Sequence, residues 1–297
     1  MDITSPGVAF LAYNPLNLPQ KKLVVLIQCK DQVGLVAAIA GVMVRHNINI
    51  VSMREHVDAA ANRFFARLVS DQYEDTEQLR HELCAVLPAD AIVSVNPEPE
   101  KKIIVLVTKE YHCLSDILVR NHFKTLGASV QCVIGNHDTL RDICERFEIP
   151  FFLVSHESGN KKDFEQRLLE IIKKYPHDYL VLAKFMRILS SQFVASFPVR
   201  IINIHHSFLP AFVGANPYKQ AHLRGVKLVG ATAHFVTDDL DEGPIIEQQI
   251  IQVDHTYTAA DMVKAGKEIE KGVLARALKM VFEDRVFVYN NKTVVFG

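Results

Sequence analysis

The chain has 297 residues, of which 49% are hydrophobic and 23% are charged, and its formal net charge is −1 at pH 7. This balance is typical of a globular protein with sizeable cores, and the length favours two domains. It excludes the strongly basic surface of a nucleic-acid-binding protein, and no apolar run approaches the roughly 18 residues that cross a bilayer.

The N-terminal residues 1–21 are predicted to form a loose arm, and they lack the basic segment followed by an apolar run that marks a secretory signal. The cysteines are scattered and include no CxxC pair, so we expect reduced thiols that serve mainly in packing. These observations predict a cytoplasmic location. The five cysteines are Cys29, Cys84, Cys113, Cys132 and Cys144.

The first predicted domain, residues 22–97, has the element order β-α-β-β-α-β of a small ferredoxin-like unit. Its first helix follows a polar turn at 29–34, because apolar residues then recur at intervals of three and four. These apolar residues are Val36, Ile39, Ala40, Met43 and Val44. The strands are predicted at 23–28, 48–55, 63–69 and 91–96, and the second helix at about 74–87.

A linker at 98–102 is predicted because the stretch 96–102 contains two prolines and four charges. The remaining residues, 103–297, form the second predicted domain. Continuous apolar strands there alternate with amphipathic helices, which indicates a doubly wound, mostly parallel sheet. Ligands bind such sheets at the carboxyl ends of the strands. Strands are predicted at 103–107, 128–134, 151–153, 179–183, 201–204 and 231–236, a long helix at about 259–283, and a final strand pair at 286–289 and 293–296.

Polar residues with complementary chemistry follow two of these strands. Asn203 and His205 are two residues apart, so both side chains point to one face, and Asp241 lies in the polar loop after 231–236. In acyl transfer, the amide of Asn203 can stabilise an oxyanion and protonated His205 can deliver a proton. Asp241 can fix the imidazole tautomer or hold a nucleophilic water. Spacing alone leaves open that these are ordinary strand-end and turn residues.

Three separated segments resemble the folate-dependent formyltransferase family in order and spacing: NIHHSFLP at 203–210, HFV at 234–236 and LDEGP at 240–244. In that family an Asn, a His and an Asp form the catalytic trio, which implies these roles for Asn203, His205 and Asp241. VLAKFMRIL at 181–189 resembles the family's folate pocket. The residues that this resemblance implies for substrate binding are Phe185, Arg187, Leu189, Thr237 and Asp238.

Within this family the chain is most similar to the formyltetrahydrofolate deformylase branch. The similarity lies in EYHCL at 110–114, IGNHDTL at 134–140 and PAFVGANPY at 210–218. The resemblance implies a hydrolase that converts 10-formyltetrahydrofolate and water to formate and tetrahydrofolate, which supplies formate to one-carbon and purine metabolism. It implies no cofactor, and the His and Cys residues show no recognised metal-ligand spacing.

The first domain resembles an ACT domain through DQVGL at 31–35 and NINI at 47–50. Such domains commonly pair across subunits and bind small amino acids, so the resemblance implies a regulatory domain and a homo-oligomer. The effector site is expected at Asp31, Gly34 and Leu35, where a helix N-terminus offers backbone N–H groups to a carboxylate. A purely dimerising module is the alternative.

Two other functions stay open at this point: a folate-binding or amino-acid-binding regulator without turnover, and a formyltransferase with an amine acceptor. The stretch after the first strand of the second domain, TKEYHC at 108–113, contains no glycine. It therefore lacks the backbone cradle that a phosphorylated acceptor would need, and Glu110 would repel an anion. We expect protein to fill this space and water to be the nucleophile.

Overall fold

A computed structural model of the chain describes residues 22–70, 75–96, 100–156, 160–210 and 217–297. The predicted arm at 1–21 and part of the predicted linker lie outside these residues. The chain divides into two compact units, Met1–Pro97 and Glu98–Gly297. Among the described helices, none has both the length and the apolar character needed to cross a membrane.

The first unit is a four-stranded antiparallel sheet with strand order β2-β3-β1-β4 and two helices. Burial alternates along β1, because one face of the sheet packs on the helices and the other does not. Gly34 precedes the first helix with φ 93°, a left-handed conformation that glycine adopts without strain. The elements are β1 (Leu23–Lys30), α1 (Leu35–Arg45), β2 (Ile50–Asp58), β3 (Arg63–Ser70), α2 (Thr76–Val86) and β4 (Ile92–Asn96).

The second unit is built on a seven-stranded sheet with strand order β11-β10-β9-β8-β5-β6-β7. The five strands from β9 to β7 are parallel, whereas β10 and β11 pair antiparallel. The strands are β5 (Lys101–Val107), β6 (Ala128–Gly135), β7 (Phe151–Leu153), β8 (Tyr179–Leu182), β9 (Ile201–His205), β10 (Leu228–Phe235), β11 (Ile245–Gln252), β12 (Val286–Tyr289) and β13 (Lys292–Val295); the last two form a separate hairpin.

Helices cover both faces of this sheet, which is why residues 103–107 of the central strand β5 are fully buried. The longest helix, α8, begins at a capping box in which the side chains of Thr258 and Asp261 bond each other's backbone N–H. The helices are α3 (His112–His122), α4 (Arg141–Arg146), α5 (Lys161–Ile172), α6 (Ser191–Ala195), α7 (Pro217–Arg224) and α8 (Ala259–Phe282), with a 3₁₀ turn at Asp138–Leu140.

The predicted fold class is confirmed: an antiparallel ferredoxin-like unit precedes a mostly parallel, doubly wound unit. Two elements were not predicted, the edge strand β11 and the short helix α7. Strand β5 begins at Lys101, inside the stretch expected to be linker. The buried Lys101 ammonium bonds the Asp284 carboxylate at 2.9 Å, and this long-range ion pair allows a charged residue to start a strand.

Candidate active site

Asn203 and His205 lie on the same face of β9, at its carboxyl end, as their spacing predicted. Strand β9 runs between β8 and β10, with Asn203 opposite Leu182 on one side and His234 on the other. His205 is buried, and Asn203 is partly buried. The centre of the sheet therefore presents an amide and an imidazole side by side.

Asp241 reaches this pair from the loop between β10 and β11. Its Oδ1 lies 3.3 Å from Nδ1 of His205 and 3.8 Å from Nε2 of His234. Burial raises the pKa of the Asp241 carboxyl, but the hydrogen bond and charge of His205 outweigh it, so that the pKa is lowered overall. Asp241 is therefore an ionised carboxylate at neutral pH. Nε2 of His205 makes no hydrogen bond to the residues that the structure describes.

His234, which the sequence reasoning did not assign to the site, orients Asn203. Its Nδ1 lies 2.8 Å from the carbonyl oxygen of Phe235, and its Nε2 lies 3.2 Å from Nδ2 of Asn203. Burial lowers the pKa of His234, so the ring is neutral at neutral pH. With Nδ1–H donating to the carbonyl, Nε2 accepts from the amide, and one N–H of Asn203 stays available for a substrate. The sequence signal for this residue was its place in the HFV segment at 234–236, whereas its contact with Asn203 follows only from the pairing of β9 with β10.

The Asp241 loop is held against β10 by a close backbone approach at Gly243. A Cβ atom at that position would lie 1.8 Å from the carbonyl oxygen of Phe235, the same oxygen that accepts from His234. The Phe235 amide in turn donates to the Pro244 carbonyl at 2.9 Å. Asp241 itself has φ 59°, a left-handed conformation that Asp tolerates better than most residues. The glycine thus permits the turn that brings Asp241 to His205.

A cavity of about 320 Å³ opens on the trio. All five residues predicted to bind the substrate line this cavity together with Asn203, His205 and Asp241. Phe185 is buried and stacks on Phe164, with 6.4 Å between ring centroids. The lining residues that sequence reasoning assigned are Phe185, Arg187, Leu189, Thr237 and Asp238. The structure thus brings these side chains together, while their roles stay a prediction.

The loop after β8 that carries Phe185, Arg187 and Leu189 is fixed at both ends. Near its start, the Met186 amide donates to Oγ1 of Thr108 at 3.0 Å. At its end, Ser190 caps α6 and donates its backbone and hydroxyl groups to the Glu165 carboxylate. Met186 and Ile188 stay 55% and 63% exposed. These exposed apolar side chains give the cavity mouth a surface that an aromatic ring system can cover.

One group of described residues has the side chains of a metal site. The ligand atoms of His112, Cys113 and Glu270 lie within 4.8 Å of one another. However, the Lys184 ammonium already lies 3.1 Å from the Glu270 carboxylate, and Nε2 of His112 lies 2.8 Å from it. A cation would have to displace that lysine, so the donor set fits an internal ion pair better than a divalent metal.

The three residues predicted to bind an effector lie around the start of α1. Gly34 is the N-cap residue and supplies no side chain to the first turn of the helix. The Asp31 amide donates to the Asn62 carbonyl at 3.1 Å, which fixes the turn. Leu35 is 3% exposed and packs in the core, so only its backbone N–H can face a ligand.

Comparison with known proteins gives one result for each unit and one for the whole chain. A model of the formyl transferase family matches residues 101–278, and a model of the ACT domain matches residues 23–86. A formyltetrahydrofolate deformylase from Escherichia coli (strain K12) is 51% identical over 267 residues, which are 90% of this chain and 95% of that protein.

Solved structures agree with these matches. A formyltetrahydrofolate deformylase from Pseudomonas syringae has a TM-score of 0.89 and 38% identity, and the alignment covers 95% of this chain and 97% of that one. A glycinamide ribonucleotide transformylase from Symbiobacterium toebii has a TM-score of 0.64 and 28% identity, over 67% of this chain and 95% of its own.

Proposed function

Because the chain belongs to the formyltetrahydrofolate deformylase family and hydrolyses 10-formyltetrahydrofolate, we propose that Asn203, His205 and Asp241 carry out this hydrolysis. The observation that supports these roles is the meeting of the three side chains in one cavity, with His205 and Asp241 3.3 Å apart. An amide donor, an imidazole and an ionised carboxylate are the groups that this acyl transfer needs.

The three residues divide the reaction between them. The Asp241 carboxylate accepts a hydrogen bond from the water and aims its oxygen at the formyl carbon. As the C–O bond forms, the free N–H of Asn203 stabilises the negative charge on the formyl oxygen. His205, held through Nδ1 by Asp241, delivers a proton from Nε2 to the folate nitrogen as the C–N bond breaks. Formate and tetrahydrofolate leave, and the water's proton restores the protonation of the pair.

The same cavity supports the proposed folate contacts. Backbone groups around Arg187 and Leu189 hold the edge of the pteridine ring, while Phe185 lines the pocket below it. Thr237 and Asp238 close the opposite wall. Because the loop from β8 to α6 is fixed by Thr108 and Glu165, these contacts are organised before the substrate binds.

Substitution of the trio tests the proposed roles. We expect Asn203→Ala, His205→Ala and Asp241→Asn each to lower kcat by about 10²-fold or more, the usual cost of losing an oxyanion donor or a general acid. The melting temperatures should stay close to that of the unmodified protein. A folded Asp241→Asn variant with near-normal turnover would remove Asp241 from the mechanism.

The first unit supports a second proposal, regulation by a small amino acid in a homo-oligomer. The ACT match indicates a small-molecule effector, and the uncapped start of α1 supports the carboxylate of an amino acid as its binding group. We expect one amino acid of a complete set to raise the melting temperature and to change hydrolysis. Gly34→Ala, which strains the left-handed N-cap, should abolish that shift. If no amino acid shifts the melting temperature, the unit serves only in dimerisation.

We also propose a cytoplasmic location for the chain. All five cysteines are free thiols, and burial raises the pKa of Cys132 and of Cys144 to about 12. Buried, protonated thiols are typical of packing residues in a reducing compartment. Fractionation of cells that express the tagged chain would test this, and recovery in an oxidising compartment would contradict it.

A further inference from the structure

Four buried polar side chains form a closed cluster near the trio, which we call the Glu270 cluster: His112, Lys184, Tyr218 and Glu270. The Glu270 carboxylate forms hydrogen bonds with Nε2 of His112 at 2.8 Å and with the Tyr218 hydroxyl at 3.0 Å, and an ion pair with the Lys184 ammonium at 3.1 Å. All four residues are less than 9% exposed. The cluster is thus a desolvated ion pair with two further donors.

Four separate elements supply these side chains. His112 begins α3, which follows the end of β5, and Lys184 follows the end of β8. Tyr218 lies in α7 and packs on α8 so closely that a Cβ at Gly266 would lie 2.1 Å from its ring. The cluster therefore occupies the carboxyl edge of the sheet, where proteins of this architecture bind their ligands.

Lys184 connects the cluster to the active-site cavity. Nine described polar residues line the cavity. Seven of them are the trio, His234 and the polar residues assigned to folate binding, and the other two are Lys184 and His206. The polar residues assigned to folate binding are Arg187, Thr237 and Asp238. The pKa of His206 is lowered to about 4, mainly by burial and in second place by the charge of Lys184. The centroid of the His206 ring lies 5.0 Å from that of the His205 ring. Lys184 therefore lines the same cavity as the proposed reacting groups.

The backbone of Lys184 adopts a strained conformation. Its φ is 62°, in the left-handed region that glycine adopts freely and a lysine adopts at a cost. Although burial opposes ionisation, the hydrogen bond of His112 and the charge of Lys184 lower the pKa of Glu270 to about 2. The ion pair thus persists at neutral pH and holds the lysine in place.

We propose that the Glu270 cluster closes the cavity to amine acceptors, so that water is the only nucleophile that reaches the formyl carbon. One similar solved structure is a glycinamide ribonucleotide transformylase, and in this chain packed side chains fill the edge of the sheet beside the trio. Lys184 is the residue that sets this specificity, since it alone belongs to both the cluster and the cavity lining. The inference rests on the proposed roles of the trio.

Hydrolysis and formyl transfer to an amine both break the bond between the formyl carbon and the folate nitrogen. In hydrolysis the water oxygen bonds the formyl carbon, the bond to the folate nitrogen breaks, and that nitrogen takes the proton that water loses. With an amine, the amine nitrogen bonds the formyl carbon and its proton passes to the folate nitrogen. The products are then a formamide and tetrahydrofolate, and no formate forms. The ratio of formamide to formate therefore reports which nucleophile enters.

The test compares Lys184→Gly with Lys184→Met in the full-length protein, using 10-formyltetrahydrofolate and excess glycinamide. Glycine vacates the space and relaxes the backbone, whereas methionine removes the charge but keeps most of the volume. We expect Lys184→Gly to form N-formylglycinamide, measured by mass spectrometry, at least about ten-fold above the enzyme-free background. The unmodified protein and Lys184→Met should give formate with no formamide above the enzyme-free background.

Each other outcome overturns the proposal that the Glu270 cluster excludes amines. A folded Lys184→Gly variant that yields only formate would show that the cluster does not exclude amines, and so would formamide formation by the unmodified protein. If Lys184→Met also yields formamide, the volume of the side chain does not exclude amines, and the proposal that packing closes the cavity is wrong. Should Lys184→Gly not fold, Lys184→Asn shortens the same side chain with a residue that tolerates the left-handed backbone, and formate without formamide from this folded variant overturns the proposal. Total tetrahydrofolate release by the unmodified protein and the Asn203→Ala variant tests the trio separately.

Discussion

His234 lies opposite Asn203 in the pairing of β9 with β10, and both of its ring nitrogens are used. Nδ1–H donates to the Phe235 carbonyl, which leaves Nε2 to accept from the Asn203 amide. The ring is buried and its pKa is lowered, so it stays neutral and keeps this tautomer at neutral pH. In the mechanism we propose, the direction of the Asn203 N–H toward the substrate therefore depends on a residue with no reaction step of its own.

Substitution of His234 should separate positioning from binding. We expect His234→Ala to lower kcat by about 10-fold, because an unheld amide donor aims less well at the oxyanion, while KM changes little. His234→Gln, which can donate and accept, should recover part of that loss. Steady-state kinetics on folded variants would check this. A fall in substrate affinity without a fall in kcat would contradict the positioning role.

The proposed trio was predictable from the sequence because its residues lie at the end of an apolar strand or a few residues after one. Asn203 and His205 end β9, but β10 runs antiparallel to β9, so Asp241 reaches His205 only through the loop between β10 and β11. The Glu270 cluster was not predictable. His112 and Glu270 are 158 residues apart, and nothing in the local sequence distinguishes a buried, paired charge from a solvated one.

At the level of the elements, β11 was missed because its sequence, IIEQQIIQ, lacks the clean alternation of a half-buried strand. It is an edge strand, and backbone hydrogen bonds to β10 hold it in an extended conformation that the periodicity of its sequence does not predict. Helix α7 is short and polar, and it is fixed by the packing of Tyr218 on α8. Tertiary contacts, rather than local propensity, determine both elements.

The turn between β10 and β11 depends on Gly243. We expect Gly243→Ala to lower kcat by at least about 10-fold, because a Cβ cannot fit 1.8 Å from the Phe235 carbonyl, so that Asp241 moves away from His205. Gly272→Ala is the matched control. A Cβ at Gly272 in α8 would lie 3.6 Å from its nearest neighbour, in ordinary van der Waals contact.

The control variant should keep its turnover and gain up to about 1 kcal/mol in free energy of unfolding, as a glycine-to-alanine change in a helix allows. Chemical denaturation and steady-state kinetics of both variants provide the measurement. Equal turnover of Gly243→Ala and the unmodified protein would show that the close approach is unimportant for placing Asp241.

At the level of the whole molecule, each of the two units has its own buried core. The first unit packs its apolar residues between an antiparallel sheet and two helices, and the second packs helices on both faces of its sheet. An independent core allows a unit to fold alone. The division of labour we propose assigns subunit pairing and effector binding to the first unit, and hydrolysis to the second.

Removal of residues 1–97 tests this division. We expect the remaining residues, 98–297, to fold, as measured by circular dichroism, and to retain hydrolysis. Their subunit number, measured by light scattering, should be smaller than that of the full-length protein. An unchanged subunit number would assign oligomerisation to the second unit and contradict the role proposed for the ACT domain.

Hydrolysis by water at the Asn203, His205 and Asp241 trio is the central claim, and isotope labelling tests it most directly. The full-length protein is incubated with 10-formyltetrahydrofolate in H₂¹⁸O, with no amine present, and the products are followed by mass spectrometry. We expect tetrahydrofolate and formate in equal amounts, with one solvent oxygen in each formate, and a rate lower by about 10²-fold in Asp241→Asn. Tetrahydrofolate release that requires added glycinamide ribonucleotide, or formate at an undiminished rate in folded Asp241→Asn, would contradict this account.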